Sequence, residues 1–187
     1  MRWNNKLSTV RSDWQQGHRA GGFTLVELMI VLVILGIAAA IVVPMASSAA
    51  SMQLRSAVNI VAADLEYAKS LAIGTGQRHS VVFDADNEMY QITDASGTTV
   101  PHPVKKGDFK YIINFASDSR LGQVKIDSAD FNATSVVGFD YLGCPYYRNA
   151  AGTWIALTVE GVITLQAGGG SRTVRVEPVT GFVTISD

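Results

Sequence analysis

The chain has 187 residues, enough for one domain with an appendage and too few for two full-sized domains. Charged residues make up 17% and the hydrophobic set 48%, with a net charge of −1, which excludes a disordered polyelectrolyte and a nucleic-acid binder carried by bulk charge. The one cysteine, Cys144, excludes an internal disulfide framework and any Cys-rich zinc or iron–sulfur site.

The first predicted element is a long apolar helix. No Lys or Arg occurs from Ala20 to Leu54, and the 21 residues from Phe23 to Val43 hold only Thr24 and Glu27 as polar members. As a helix that run is about 31 Å long, matching a hydrocarbon core about 30 Å thick. Arg2, Lys6, Arg11 and Arg19 precede it against one acid, Asp13, whereas its far side offers only Arg55 before Lys69. The positive-inside bias therefore places the N-terminus in the cytoplasm and the rest of the chain across the membrane. A secretory signal is the rival reading, with Ala46-Ser47-Ser48-Ala49 as its small-residue cleavage site. Against it stand a run longer than the usual h-region of about 7 to 15 residues, and a carboxylate inside that run.

The segment Gly21-Gly22-Phe23-Thr24-Leu25-Val26-Glu27-Leu28-Met29-Ile30 closely resembles the type III signal of type IV pilins and type II secretion pseudopilins. The resemblance implies that a membrane-embedded prepilin peptidase cuts after Gly22 and methylates the new N-terminus, Phe23, making residues 1–22 a leader. Removing it takes away Arg2, Lys6, Arg11, Arg19 and Asp13 and leaves 11 Lys+Arg against 15 Asp+Glu, a net of −4. A glycine before the scissile bond suits such a peptidase, since it brings backbone freedom and no side-chain obstruction. A lone carboxylate within an apolar helix is costly unless neutralised or paired, and so reads as functional. The resemblance implies that Glu27 pairs with the amine of Phe23 on a neighbouring subunit during filament assembly; a protonated carboxyl snorkelling to the interface is the alternative. Gly36 and Pro44 each weaken the second half of the run. A tolerated kink and, as in filament pilins, local melting on assembly both remain open there.

Beyond Pro44 the spacing predicts that the helix continues to about Ile73. Leu54, Val58, Val61, Leu65, Ala68 and Ala72 step by three and four along one face, a stripe expected to pack on the chain's own domain. Arg55, Asn59, Asp64, Glu66 and Lys69 lie off it, and Gly74 with Gly76 supplies the stop. The organisation read from these patterns is a leader (1–22), a membrane-spanning helix (23–43), its amphipathic continuation (44–76) and a periplasmic β-rich head (77–187).

After Gly76 the pattern changes to short apolar runs between turn residues. Eight or nine strands are expected: His79 to Phe83, Glu88 to Thr93, Phe109 to Phe115, Gln123 to Ile126, Ser135 to Tyr141, Trp154 to Val159, Val162 to Gln166, Arg172 to Glu177 and Phe182 to Ile185. Asp84 to Asn87, Gly168-Gly169-Gly170 and Pro178 to Gly181 read as turns, and Asp94 to Asp108 as an exposed loop. The fold class expected is α+β, a long N-terminal helix packed on an antiparallel β-rich head. In this half, Phe139-Asp140-Tyr141-Leu142-Gly143 and Val176-Glu177-Pro178-Val179-Thr180-Gly181-Phe182-Val183 resemble two signatures of the GspH/FimT family of minor pseudopilins. Asp64 to Ile73 is similar to that family as well. Taken on their own, Phe139 and Thr180-Gly181 read as a core aromatic and a turn.

Catalytic candidates are thin. His18 falls in the leader, His79 starts a strand and His102 lies between prolines, none at metal-ligand spacing from another ligand. Cys144, before Pro145, has no histidine near in sequence and reads as a buried or half-buried thiol. Asp84, Asp86 and Glu88 lack the order of a calcium loop and read as a solvated turn. Arg172 and Arg175, with Lys105, Lys106 and Lys110, are the candidates for touching phosphates, but the acidic mature chain opposes nonspecific binding of nucleic acid. No catalytic residue, metal or cofactor is expected. The resemblance implies a subunit of a type II secretion pseudopilus acting at or near the filament tip, with a FimT-like minor type IV pilin for adhesion, pilus assembly or DNA uptake as the alternative, and a plain anchored β domain behind both. Partners implied are other pilins and pseudopilins, the prepilin peptidase, the inner-membrane assembly platform and the membrane itself.

Overall fold

The computed structural model describes residues 22–104, 107 and 109–186, with backbone only for 41–48. The leader up to residue 21, and Lys105 and Lys106, lie outside the described residues. The chain divides into two compact units, Met1–Ala40 and Ile41–Asp187.

Helix α1 runs from Leu25 to Thr75. Thr24 starts it as N-cap: its Oγ1 accepts the Glu27 N–H at 3.1 Å, and its carbonyl accepts the Leu28 N–H at 3.2 Å. Thr-x-x-Glu is a capping-box pattern, and it places the only acid of the first turn where the helix dipole favours one. At the other end the Thr75 hydroxyl donates to the Leu71 carbonyl at 2.7 Å, and Gly76 takes φ +67°, the left-handed C′ position that glycine supplies without strain.

In the first unit the described side chains of α1 are exposed, from Leu25 at 74% to Ile37 at 58%. Among the described residues no helix is long and apolar enough to cross a membrane. Residues 41–43, which complete the apolar run, belong to the stretch described by backbone alone.

In the second unit the helix turns an apolar stripe onto the sheets. Leu54, Val58, Val61, Leu65, Ala68 and Ala72 are all 3% exposed or less, so the expected stripe is core. Asp64 departs from its expected place off the stripe: it is 8% exposed and bound by two tyrosines that the head lowers onto the helix.

Ten strands follow: β1 (His79–Asp84), β2 (Met89–Thr93), β3 (Ile112–Asn114), β4 (Lys125–Asp130), β5 (Val136–Phe139), β6 (Pro145–Arg148), β7 (Trp154–Ala156), β8 (Gly161–Ala167), β9 (Gly170–Val176) and β10 (Val183–Ser186). They form two antiparallel sheets, ordered β3-β2-β1-β5-β6-β7 and β10-β9-β8-β4. The fold is therefore α+β, a long N-terminal helix with antiparallel sheets, as expected. The inner faces contribute Val81, Phe83, Tyr90, Ile92, Val137 and Phe139 from the first sheet, and Ile126, Ile163, Leu165, Val174 and Val176 from the second. Each such side chain taken from water contributes about 1.5 to 3 kcal/mol.

Several boundaries differ from the sequence reading. Strand β6 was unexpected: Pro145 opens it by pairing with Phe139, at the first strand position where a missing N–H is tolerated. Strand β4 continues to Asp130 with a register shift between Ile126 and Ser128, while β3 and β7 are each three residues long. Gly170 is not part of a turn but pairs with Ala167, leaving Gly168 and Gly169, at φ +58° and +80°, as the two-residue connection from β8 to β9. The stretch from Asp94 to Asp108 is not simply an exposed loop. Thr93 bridges Thr99, Pro101 bridges Lys110, and Val100 is buried among the core residues.

Candidate functional site

The N-terminal candidates sit at the start of α1. A Cβ built on Gly22 meets nothing within 4 Å, and its φ is not left-handed, so the fold itself does not call for glycine there. The same holds of Gly36, through which α1 runs without a break, as it does through Pro44. The Pro44 side chain lies outside the described residues. Phe23 and the large apolar residues from Leu25 to Leu35 are exposed around the whole circumference of this segment, leaving Glu27 as its one charge. A helix apolar on all sides with one carboxylate in its first turn is suited to an apolar surround, either lipid or other helices, and is poorly suited to water.

The two head signatures meet in space. Phe139 is fully buried, and Asp140 Oδ1 accepts the N–H groups of Leu142 and Cys144, each at 2.9 Å, shaping the turn into β6. Across from it, Gly181 packs so closely that a Cβ there would stand 2.7 Å from the Gly143 carbonyl oxygen and 3.1 Å from the Phe139 ring. Lys69 of α1 donates to the Gly181 carbonyl at 3.0 Å and pairs with Glu66 at 3.3 Å. The bland reading of Phe139 and Thr180-Gly181 as core aromatic and turn is thus correct. What it missed is that the same turns expose Tyr141, Leu142, Val179 and Phe182. Val179 takes φ +66°, a strained backbone for a β-branched residue.

The remaining candidates are dispersed. His79 begins β1 and is buried, its Nδ1 3.1 Å from the Gln77 carbonyl. His102 stacks on Tyr111, ring centroids 4.8 Å apart. Asp84 caps its turn by accepting from the Asn87 N–H and side-chain amide, which holds its pKa below the ordinary carboxylate value. Glu88 turns away from Asp84 to accept the Ile126 N–H at 2.6 Å, so the three acids do not converge. Arg175 is paired with Glu160. Among the described residues no group of three His, Cys, Asp or Glu is placed to hold a metal ion.

Residues 17–43 match a family described as the prokaryotic N-terminal methylation motif. The chain carries that motif. The match covers the apolar first part of α1 and includes Gly22, Phe23, Glu27, Gly36 and part of the basic flank. Solved structures similar to the chain include the type IV minor pilin FimU of Pseudomonas aeruginosa, at 18% identity over 73% of this chain and 90% of that one, with a TM-score of 0.48. Another is the minor pseudopilin EpsH from the Type 2 Secretion System of Vibrio cholerae, at 11% identity over 71% of this chain and 95% of that one, with a TM-score of 0.49. No curated protein matches the chain.

Proposed function

We propose that the chain is a prepilin-type precursor, cut after Gly22 and methylated at Phe23, whose helix anchors it in the inner membrane and then enters a filament as a minor pseudopilin of a type II secretion system. The observation that carries this reading is the methylation motif over 17–43, set on a helix whose described apolar surface is exposed on all sides and bears one acid. In the membrane that surface faces lipid with the N-terminus cytoplasmic and the head periplasmic; in a filament it faces the helices of other subunits. Glu27 supplies the charge that a neighbour's N-terminal amine neutralises, and the Gly36 to Pro44 stretch is where the helix gives when a subunit leaves the bilayer. The role is assembly, with no turnover. Its partners are the prepilin peptidase, other pseudopilins and the inner-membrane assembly platform.

The test is the intact mass and N-terminal sequence of the membrane-extracted chain, from cells with and without their prepilin peptidase. A chain starting at methylated Phe23 only when the peptidase is present supports the reading. An uncut chain, or cleavage near Ala46, rejects it in favour of an anchored or exported β domain. Deletion of the chain's gene then assigns the system: loss of exoprotein release marks secretion, and loss of surface fibres or transformation marks a type IV pilus.

A further inference from the structure

The chain holds one Asn-x-Ser/Thr triplet, Asn132-Ala133-Thr134, and Asp130 stands two residues ahead of its asparagine. The triplet falls on the tight reversal, residues 131–134, that carries the chain from β4 of the four-stranded sheet to β5 of the six-stranded one. Groups other than the asparagine anchor and close this reversal. Phe131 is fully buried, its N–H donates to the Thr134 carbonyl at 2.8 Å, and its carbonyl accepts the Thr134 hydroxyl at 3.0 Å. Asp130 Oδ1 accepts the Ala133 N–H at 2.7 Å.

Asn132 is exposed, and its side-chain amide makes no hydrogen bond with the described residues. The other asparagines of the head each use their side chain to shape a turn: Asn87 donates to Asp84, Asn114 accepts the Ser117 N–H, and Asn149 accepts the Thr153 N–H. What the fold takes from Asn132 is its φ of +57°, and Ala133, at φ +64°, shows that this reversal accepts a residue with no preference for the left-handed region. The charge of Asp130 also exceeds what the turn needs, since a neutral asparagine or serine oxygen can accept an N–H in the same way. A free amide, a hydroxyl two residues on and a carboxylate two residues back therefore share one exposed turn.

We propose that Asn132 is an acceptor for N-glycosylation, with an oligosaccharide carried on a lipid diphosphate as the donor. The Asn-x-Ser/Thr spacing is the acceptor pattern of that chemistry, and an exposed turn is where a transferase can reach it. Asn132 Nδ2 bonds to the anomeric carbon of the first sugar as the bond from that carbon to the diphosphate oxygen breaks. The lipid diphosphate leaves with the electron pair, and one amide proton passes to a base of the transferase. The Thr134 hydroxyl gives the transferase a second polar contact, and Asp130 gives one of its basic side chains a charge to hold. Ala133 and Ser135, on either side of Thr134, are exposed as well and leave room for the sugar. The proposal rests on the periplasmic placement of the head, because N-glycosylation is a modification of exported chains.

The test is mass spectrometry of the full chain, extracted from the membranes of the cells that make it. Trypsin releases residues 126–148, between Lys125 and Arg148, a peptide in which Asn132 is the one asparagine. The expected result is a peptide heavier by an oligosaccharide, with fragment ions placing the addition on Asn132. Asn132→Asp keeps a residue at home in the left-handed region but removes the amide, and should abolish the addition; Thr134→Ala should abolish it and Thr134→Ser retain it. Asp130→Asn, which can still accept the Ala133 N–H, should lower the glycosylated fraction. A peptide of unmodified mass, an addition that survives Asn132→Asp, or one indifferent to Thr134→Ala would overturn the proposal. The N-terminus read in the same digest keeps this proposal apart from the pilin pathway. A chain starting at Phe23 without a glycan rejects glycosylation alone, and a glycan on an uncut chain rejects the pilin pathway alone.

Discussion

Tyr111 donates its hydroxyl to Oδ1 of Asp64 at 2.7 Å, while Tyr90 takes the other carboxylate oxygen, Oδ2, at 2.6 Å. One acid on the helix thereby ties down β2, inside the six-stranded sheet, and the segment leading into the edge strand β3. Both hydroxyls are satisfied only because the carboxylate is there. Asp64→Ala should therefore cost about 2 to 4 kcal/mol, since it strands two buried donors, and thermal or urea unfolding measures it. Tyr111→Phe removes a donor along with its need and should cost less than half as much.

Burial raises the pKa of Asp64 above the ordinary 3.8, with the two tyrosine hydrogen bonds and His102 acting in the opposite sense. The native state then holds this proton more tightly than the unfolded chain does. The stability contributed by this group falls as pH rises from 3.8 to the raised native value, and is flat above it. Asp64→Asn should remove that part of the pH dependence. If the slope of stability just above pH 3.8 is the same in Asp64→Asn as in the unaltered chain, the assignment is rejected.

Gly161 lies under Phe131, which is fully buried and stacks on Phe83 with ring centroids 6.0 Å apart. A Cβ at Gly161 would stand 2.3 Å from the Phe131 ring, and the ring has core residues behind it. Gly161→Ala should cost about 1 to 3 kcal/mol by overpacking. Adding Phe131→Leu should return part of that loss, a non-additivity that a double-mutant cycle by chemical denaturation detects.

Gly181 is constrained twice, by φ +60° and by the 2.7 Å approach of its absent Cβ to the Gly143 carbonyl. Gly181→Ala should cost about 1 to 3 kcal/mol and release Lys69 from the Gly181 carbonyl. Gly22→Ala, where a Cβ meets nothing, should leave the Tm unchanged. Its effect is expected on cleavage by the peptidase instead, and mass spectrometry of the membrane fraction separates the two.

What was legible in the chain follows from how local each signal is. The stripe from Leu54 to Ala72 could be read because a helix repeats its buried face within a few residues, and Gly21 to Ile30 because the whole motif is contiguous. Asp64 was placed off the stripe because charge argues for solvent, and the partners that reverse the argument, Tyr90 and Tyr111, lie 26 and 47 residues away. Strand β6 was hidden by Pro145, whose tolerance depends on being first in the strand. A groove on the outer face of the six-stranded sheet was illegible for the same reason as Asp64: Ser80, Gln91, Arg148 and Trp154, which line it, come together only through the order β2-β1-β5-β6-β7. One signal was available, the polar residues Ser80, Gln91 and Thr93 alternating with core residues in strands otherwise rich in apolar side chains.

The start of α1 separates two roles for Glu27 that its sequence position alone merges. Its N–H donates to Thr24 Oγ1 at 3.1 Å, so the residue stands at N3 of a capping box, where glutamate and glutamine serve equally. Charge pairing with a neighbour's amine requires the carboxylate, and glutamine cannot supply it. Glu27→Gln should therefore leave the chain cleaved after Gly22 and its first turn helical, yet abolish its incorporation into filaments. Thr24→Ala should do the reverse, loosening the first turn by about 1 kcal/mol while assembly persists. Amide exchange at residues 25–28 reports the first effect, and co-purification with sheared or crosslinked filaments reports the second. If Glu27→Gln assembles normally and Thr24→Ala does not, the carboxylate is there to begin the helix, and the pairing with Phe23 of a neighbour has to be given up.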